Sequence, residues 1–241
     1  MLPGIYSAAN SMDAAQRQHE IVSRNLAYGE MPGFRRLIPY APNNPEGGAG
    51  GASNGFSGPK NTEEAIDFTP GPMQQTGEPL DFAINGKGLF TIEGPDGPLY
   101  TRNGVFQLNH EGTLVTSEGL PVLGEGGPIQ FPPNADLRTL QVGRDGQLSI
   151  GKNEIGRLQV ISVEDEQKFK MVGTTLMSLE EDVEVQPATG DVIHKAHEGS
   201  NVHPVHELVT MIATMRQHEA AQRAMNSISK AIEQHTNLTG G

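Results

Sequence analysis

The chain has 241 residues, of which 35% are hydrophobic and 5% aromatic, and it is rich in glycine (30) and proline (17). This composition favours turn-rich β structure, with stretches that have no core of their own, over a compact helical enzyme. The formal charge of −12 and the absence of cysteine exclude nucleic acid and anionic membranes as partners, and they exclude disulfides and thiolate metal sites.

The amino terminus does not have the pattern of a secretory signal. Residues 1–15 lack a basic start, and they also lack the apolar run of about 7 to 15 residues that such a signal contains. No apolar run in the chain approaches the ~20 residues that cross a bilayer. We therefore expect neither a cleaved signal peptide nor insertion into a membrane.

The first segment, residues 1–36, is predicted to contain a helix with Pro3 in its first turn and an end near Tyr28, ahead of Pro32. Its small and apolar residues recur at alternating steps of three and four, which is typical of a coiled-coil seam. His19 is the one polar member of this seam. It could act as a pH-sensitive switch of polymerisation, although a half-exposed seam histidine without that role is the simpler interpretation. The seam consists of Ile5, Ala8, Met12, Ala15, His19, Val22 and Leu26.

Residues 37–77 are interpreted as an extended segment followed by a linker rich in glycine and proline. Within it, residues 51–55 match the Gly-x-Ser-x-Gly pattern of a hydrolase nucleophile elbow. That motif works only on a strained turn between a strand and a helix, so we interpret the match as chance. A secreted hydrolase or metal-binding protein built on the β domain is nevertheless the alternative from a different functional class.

Residues 78–198 are predicted to form an antiparallel all-β domain. Short alternating runs are separated by turn sequences such as Pro95-Asp96-Gly97, which is the pattern of consecutive β-hairpins. The predicted strands cover residues 80–84, 89–92, 104–108, 113–115, 140–142, 148–150 and 158–161.

Residues 199–241 are predicted to contain a second long helix that runs to about Thr236, with Pro204 in its first turn. The fold class is therefore α+β, with a central antiparallel β domain flanked by two terminal helices. Each helix can bury its apolar stripe only against the other helix or a neighbouring molecule, so we expect the two to pair into a coiled-coil-like assembly region. The stripe of the second helix consists of Val205, Leu208, Ile212, Met215, Ala221, Met225, Ile228 and Ile232.

Four histidines precede or begin the second helix as two pairs spaced by three: His194 with His197, and His203 with His206. This spacing could bring two imidazoles to one metal ion if both lay on a helix. Metal sites also need further ligands and oriented partners behind them, so a solvated or capping role is the preferred interpretation. We expect neither a metal nor another cofactor.

Three ordered motifs carry a family resemblance. The first is Asn25-Leu26-Ala27 followed by Pro32-Gly33-Phe34-Arg35-Arg36, and the second is the series formed by residues 79–90, 100–106 and 112–124. The third is Glu198-Gly199-Ser200-Asn201-Val202 with residues 207–212 and Arg216. Together they resemble the axial proteins of the bacterial flagellum, the family of rod and hook subunits. Tyr28, Met31 and His203 depart from the family pattern, which usually has Asn, Thr and Asn at these positions.

This resemblance implies a non-enzymatic structural subunit of the basal-body rod, exported without a cleaved signal through the flagellar type III apparatus. The subunit would polymerise through its terminal helices, with itself and with other rod subunits, into a helical drive shaft. Cell-wall and ring components are further candidate partners. Residues 121–129 and 155–158 are most similar to the proximal-rod subunit, with a distal-rod or hook subunit as the alternative.

The predicted site is the assembly interface between copies, in which the first helix meets its own and neighbouring second helices. The family-motif residues expected to matter are Asn25, Leu26, Ala27, Gly33, Phe34, Ser200, Asn201 and Val202. The predicted interface residues are Ile5, Met12, His19, Val22, Leu26, Val205, Leu208, Ile212, Met215, Met225, Ile228 and Ile232.

Overall fold

The structure, a computed structural model, describes the backbone of residues 2–40, 63–180 and 183–239, and the side chains of residues 9–40, 64–180 and 183–230. The chain divides into two compact units. Unit one comprises Met1–Ala27, Leu37–Ala65 and His203–Gly241, and unit two comprises Tyr28–Arg36 and Ile66–Val202. The chain therefore passes from unit one to unit two and back more than once, and the segment after the first helix belongs to unit two.

Unit one contains helix α1 (Leu2–Tyr28), helix α2 (Pro204–Thr239) and the paired strands β1 (Leu37–Tyr40) and β2 (Glu63–Ile66). α1 ends at Tyr28, as the sequence predicts, and the Met31 N–H donates to the Tyr28 carbonyl (3.0 Å) in the turn that follows. α2 begins at Pro204, whose missing N–H and restricted φ suit a first helical position. Neither helix, over its described residues, has a stretch long and apolar enough to cross a membrane.

Unit two is built from short strands and two turns of 3₁₀ helix, Leu137–Thr139 and Glu166–Lys168. Its first strands are β3 (Met73–Gln75), β4 (Phe82–Asn85), β5 (Leu89–Gly94), β6 (Gly97–Thr101), β7 (Gln107–Leu108), β8 (Leu114–Val115), β9 (Leu123–Gly124) and β10 (Gly127–Pro128). The others are β11 (Leu140–Val142), β12 (Gln147–Ile150), β13 (Asn153–Arg157), β14 (Val160–Ser162), β15 (Phe169–Met171), β16 (Leu176–Leu179), β17 (Gln186–Pro187), β18 (Asp191–His194) and β19 (Ala196–Glu198).

The strand pairings of unit two are antiparallel, which confirms the predicted β class. β15-β16-β6-β5-β14-β17 form a six-stranded sheet and β11-β12-β13 a three-stranded one. The remaining pairs are β3 with β19, β4 with β18, β7 with β8, and β9 with β10. Each of the seven predicted runs overlaps a strand. β3, β6, β9, β10, β13 and β15–β19 overlap none of these runs, and β3 lies in the segment interpreted as a linker.

Two hydrophobic clusters hold unit two together. The first includes Phe82, Phe90 and Leu114, and the second includes Tyr100 and Phe169. Burial of a side chain of this size contributes about 1.5–3 kcal/mol each, so the strands, although short, bury enough apolar surface to form a core. The same burial raises the pKa of the Tyr100 phenol, because the phenolate would lose its hydration.

Candidate assembly site

Large apolar side chains are exposed to solvent along the first three turns of α2. Val205 is 75% exposed, Ile212 53% and Met215 51%, and Leu208 and Val209 are exposed as well. Steps of three and four place them on one side of the helix. We call these five residues the outer stripe. It ends after Met215 because the next positions on this side are Glu219 and Gln222.

A different face of α2 is the less exposed one. Glu207 and Thr214 are buried. The residues that continue this alternation of four and three along α2 lie on the same face as these two. The structure therefore divides the predicted stripe of α2 between two faces. Val205, Leu208, Ile212 and Met215 lie on the outer stripe, with Met215 at its edge, where it also lines the cleft towards α1. Met225 and Ile228 lie on this inner face and are half-buried. The side chain of Ile232 lies outside the described residues.

The predicted seam of α1 coincides with the buried side of that helix over its described part. Val22 is buried, and Met12, His19 and Leu26 are half-buried. Ile21 and Asn25 are also buried, and the predicted interface included neither of them. The side chain of Ile5 lies outside the described residues.

The two helices approach each other in antiparallel directions. Near the end of α1, the Asn25 Nδ2 donates to the Glu207 Oε2 (3.4 Å) near the start of α2. Further from these ends, His19 and His218 line one cleft of about 300 Å³ between the helices, and the remaining lining residues are Ala15, Gln16, Thr214, Met215 and Glu219. From the first contact to the second, the residue numbers fall in α1 and rise in α2, so the two helices run antiparallel.

Asn25 also ties the end of α1 to the start of β1. The Leu37 N–H donates to the Asn25 Oδ1 and the Asn25 Nδ2 donates to the Leu37 carbonyl, both at 2.8 Å. Asn25 is fully buried, so these bonds satisfy polar groups that would otherwise be costly to bury. Leu26 beside it is half-buried and Ala27 is exposed.

In unit two, the buried carboxylate of Glu198 is the centre of a charged cluster. Its Oε1 lies 3.0 Å from the Arg35 Nη2 and accepts from the Gly71 N–H (2.7 Å), and its Oε2 accepts from the Arg102 Nε (2.5 Å). All three charged residues are buried. Burial lowers the pKa of Arg35, and the attraction of Glu198 opposes that effect.

Each arginine of this cluster has backbone partners as well. Arg102 donates from Nη2 to the carbonyls of Ile84 (2.6 Å) and Gly86 (2.7 Å), and from Nη1 to the carbonyl of Gly88. The Arg35 Nη1 donates to the Thr69 carbonyl (2.6 Å). Arg102 therefore closes the turn after β4 independently of Glu198.

Asn201 joins two further segments of unit two. Its Oδ1 accepts from the Arg36 N–H (2.7 Å), and its Nδ2 donates to the carbonyls of Asp67 (2.9 Å) and Thr69 (3.0 Å). Beside it, the Ser200 Oγ accepts from the N–H of the buried Val202 (3.1 Å). Asn201 thus links the Arg36 N–H to the carbonyls of Asp67 and Thr69, whereas Asn25 makes both of its backbone bonds to Leu37.

Gly33 and Phe34 have roles that depend on shape. Gly33 has φ +69°, and a Cβ there would lie 2.1 Å from the Asn103 backbone nitrogen. Its N–H donates to the Glu198 carbonyl (2.7 Å). Phe34 is buried, with its ring centroid 5.8 Å from that of Tyr28. Only glycine fits the close approach of residue 33 to the Asn103 backbone, which explains why the motif has Gly33.

The histidines of the proposed cluster have different environments. The His194 Nε2 lies 2.9 Å from the Pro79 carbonyl and the ring stacks on Phe82. His197 lies 3.6 Å from Asp81, and the His203 carbonyl accepts from the Glu207 N–H as a backbone cap of α2. Within the described part of the chain, no group of three or more His, Asp or Glu side chains is placed to hold a metal ion. The Gly-x-Ser-x-Gly match lies outside the described residues.

Comparison with known proteins gives the family. Residues 83–150 match the model of the flagellar hook protein FlgE/F/G D1 domain, and residues 195–238 match that of the flagellar basal body rod FlgEFG protein C-terminal region. The chain is 33% identical to flagellar basal-body rod protein FlgF of Caulobacter vibrioides, over 94% of this chain and 93% of that protein. It is 28% identical to FlgF of Salmonella typhimurium (94% of each) and to FlgG of Bacillus subtilis (99% of each).

These similarities define a structural protein of a bacterial appendage, not an enzyme. The chain belongs to the flagellar basal-body rod protein family. Membership of this family implies a location in the flagellar basal body and contacts with other rod components. It also removes the hydrolase alternative, and it confirms the resemblance carried by the three motifs.

Proposed function

We propose that this rod subunit polymerises through its terminal helices, and that the outer stripe of α2 is its contact with the neighbouring subunit. The observation that supports this proposal is the exposure of the outer stripe, which consists of Val205, Leu208, Val209, Ile212 and Met215. Complete burial of one such side chain recovers about 1.5–3 kcal/mol. Contiguous apolar surface of this kind marks an interaction site in a soluble chain.

The two faces of α2 then have different functions. The inner face, with Met225 and Ile228, belongs to the coiled-coil-like pair with α1 of the same molecule, opposite Met12, His19, Val22 and Leu26. The antiparallel approach at Asn25 and Glu207 supports this assignment. The outer stripe is left for another copy or another rod subunit. Such a contact joins different surfaces of neighbouring molecules, so it repeats along a helical tube and does not close on itself.

The place of the subunit in the rod and its route there are part of the proposal. Similarity over residues 121–129 and 155–158 supports the proximal rod, with the distal rod or hook as the alternative position. Similarity to the flagellar rod proteins supports export through the flagellar type III apparatus. Cell-wall and ring components would be reached from the rod in the periplasm.

Replacing Leu208 by Asp tests the contact, because a carboxylate on the outer stripe cannot be buried without a large cost. We expect Leu208→Asp to be absent from purified hook-basal bodies and cells that carry only this variant not to swim. Gln217→Asp is the control, since Gln217 is exposed on α2 outside the stripe. Unchanged circular dichroism of both purified variants shows that folding is intact. Normal incorporation of folded Leu208→Asp would overturn the proposed contact.

A further inference from the structure

We infer that Glu198 is a positioning residue that fixes two segments of unit two, residues 33–36 after α1 and residues 198–202 before α2. Residues 33–36 follow α1 by a few positions, and residues 198–202 precede α2 by a few. We call residues 33–36 and 198–202 the junction segments. Both lie in unit two, and Glu198, which belongs to the second segment, bonds to the first. The part of the inference that concerns assembly depends on the proposed function, whereas the part that concerns the junction does not.

The contacts of Glu198 reach three segments that are distant in sequence. Its side chain binds Arg35 and the Gly71 N–H, and its backbone carbonyl accepts from the Gly33 N–H. The following Gly199 N–H donates to the Pro72 carbonyl (2.8 Å). One residue therefore contacts the segment after α1, the segment before β3 and, through Arg102, the turn after β4.

Two glycines beside Glu198 bring backbone segments into close approach, although the charged cluster also lines a cavity of about 660 Å³. A Cβ on Gly71 would lie 2.0 Å from the Gly199 carbonyl oxygen, and a Cβ on Gly33 would overlap the backbone at Asn103. These glycines let backbones approach closely enough for the carboxylate to reach both partners. The cluster contains two arginines and one carboxylate, so without Glu198 two buried cations would face each other unpaired.

The charged cluster borders the hydrophobic core of unit two, because its three residues line one cavity with Ile84, Leu89 and Phe169. The three carbonyl partners of Arg102 do not involve Glu198, so we expect Arg102 to keep them when Glu198 loses its charge. Replacing a whole buried ion cluster by apolar packing is often neutral for stability, whereas removing one partner leaves the other charges buried and uncompensated. We therefore expect the loss of Glu198 to act first on the segments that the two arginines hold.

Because the bonds of Arg102 to the carbonyls after β4 do not involve Glu198, we expect Glu198→Gln to loosen the two junction segments while the sheet stays folded. Because the chain has no cysteine, spin labels on introduced cysteine pairs can measure distances in the full-length monomer. Glu30 and Glu93 report on the segment after α1, Ser200 and Glu93 on the segment before α2, and Glu93 and Lys170 on the sheet alone. We expect Glu198→Gln to convert the narrow distance distributions of the first two pairs into broad ones and to leave the third narrow.

Arg35→Gln is the second variant, because it removes the charged contact between the segment after α1 and Glu198, whereas Arg102 still holds Glu198. It should broaden the Glu30–Glu93 distribution alone. The inference is overturned if Glu198→Gln leaves all distributions narrow, or if it broadens the sheet pair together with the others, since Glu198 would then serve the core.

Assembly is scored separately, as incorporation of Glu198→Gln into purified hook-basal bodies. The account predicts loss of incorporation, and normal incorporation of a variant with loosened junction segments would overturn the role in assembly. Because the distance measurements use the monomer, their failure is distinguishable from failure of the outer-stripe contact, which Leu208→Asp tests with an intact junction.

Discussion

The carboxamide of Asn25 pairs with the backbone of Leu37 as a neighbouring β strand would, accepting from its N–H and donating to its carbonyl at 2.8 Å in both directions. A helix thereby supplies the first hydrogen-bonding partner of the strand that follows it. The same Nδ2 reaches Glu207 of α2, so one buried side chain connects three elements of unit one.

Replacing Asn25 by Ala should destabilise unit one. The change leaves the N–H and carbonyl of Leu37 buried without these partners, at a cost on the order of 3 kcal/mol. Urea unfolding followed by circular dichroism at the helix wavelength measures the effect. Asn10→Ala, at a half-exposed position of the same helix, is the control and should change the free energy of unfolding by about 0.5 kcal/mol or less. Equal effects of the two variants would contradict the role of Asn25.

Two glycines with positive φ allow the stability cost of backbone conformation to be measured apart from the cost of steric overlap. A Cβ added to Gly33 (φ +69°) would lie 2.1 Å from the Asn103 backbone nitrogen, whereas a Cβ added to Gly77 (φ +80°) would meet nothing within 4 Å. Gly77→Ala should cost only the left-handed backbone penalty of about 1–2 kcal/mol. Gly33→Ala adds the overlap with Asn103 and should lower the melting temperature much further. A comparable shift in both variants would show that the approach of Gly33 to Asn103 relaxes easily.

His194 should make the stability of unit two depend on pH. Burial lowers the pKa of its imidazole, its contact with the Pro79 carbonyl opposes this shift, and Lys195 adds to it. With the folded-state pKa below the usual value, the unfolded chain takes up the proton first, so the free energy of unfolding falls as the pH drops through about 6.5 and below.

His194→Gln tests this dependence, since the Gln amide can still donate to the Pro79 carbonyl and does not titrate. Thermal unfolding between pH 7.5 and pH 5.5 should show a smaller loss of stability for this variant than for the wild type. His110→Gln, at an exposed position, should keep the wild-type dependence. An identical pH dependence of the wild type and His194→Gln would rule out this histidine as its source.

The terminal helices and seven of the strands could be predicted because their patterns are local. Steps of three and four identify α1 around Val22, and alternation identifies β5 around Phe90. β15–β19 were missed because strands of two to four residues carry too few alternating positions. The stripe of α2 was placed on a single face although the step from Met215 to Ala221 spans six residues, which does not fit that periodicity. That step marks where the apolar residues change from the outer to the inner face.

The polar part of the site could be located by its motif but not explained. Glu198 and Arg35 are far apart in sequence, and no periodicity indicates that a carboxylate will be buried between two guanidinium groups. The same holds for Asn201 and Arg36. Gly33 offered a signal, since the glycine of a Pro-Gly turn often has positive φ, but its approach to Asn103 depends on the folded unit.

The most direct test of the account is the accessibility of the outer stripe before and after assembly. A single cysteine at Ile212 should react readily with a maleimide in the purified monomer, where this side is exposed, and should be protected in intact hook-basal bodies. Dissociating the same particles in guanidinium should restore the reaction, which shows that the thiol is unmodified. Equal reactivity in monomer and intact particle would contradict the claim that the outer stripe of α2 is the contact between rod subunits.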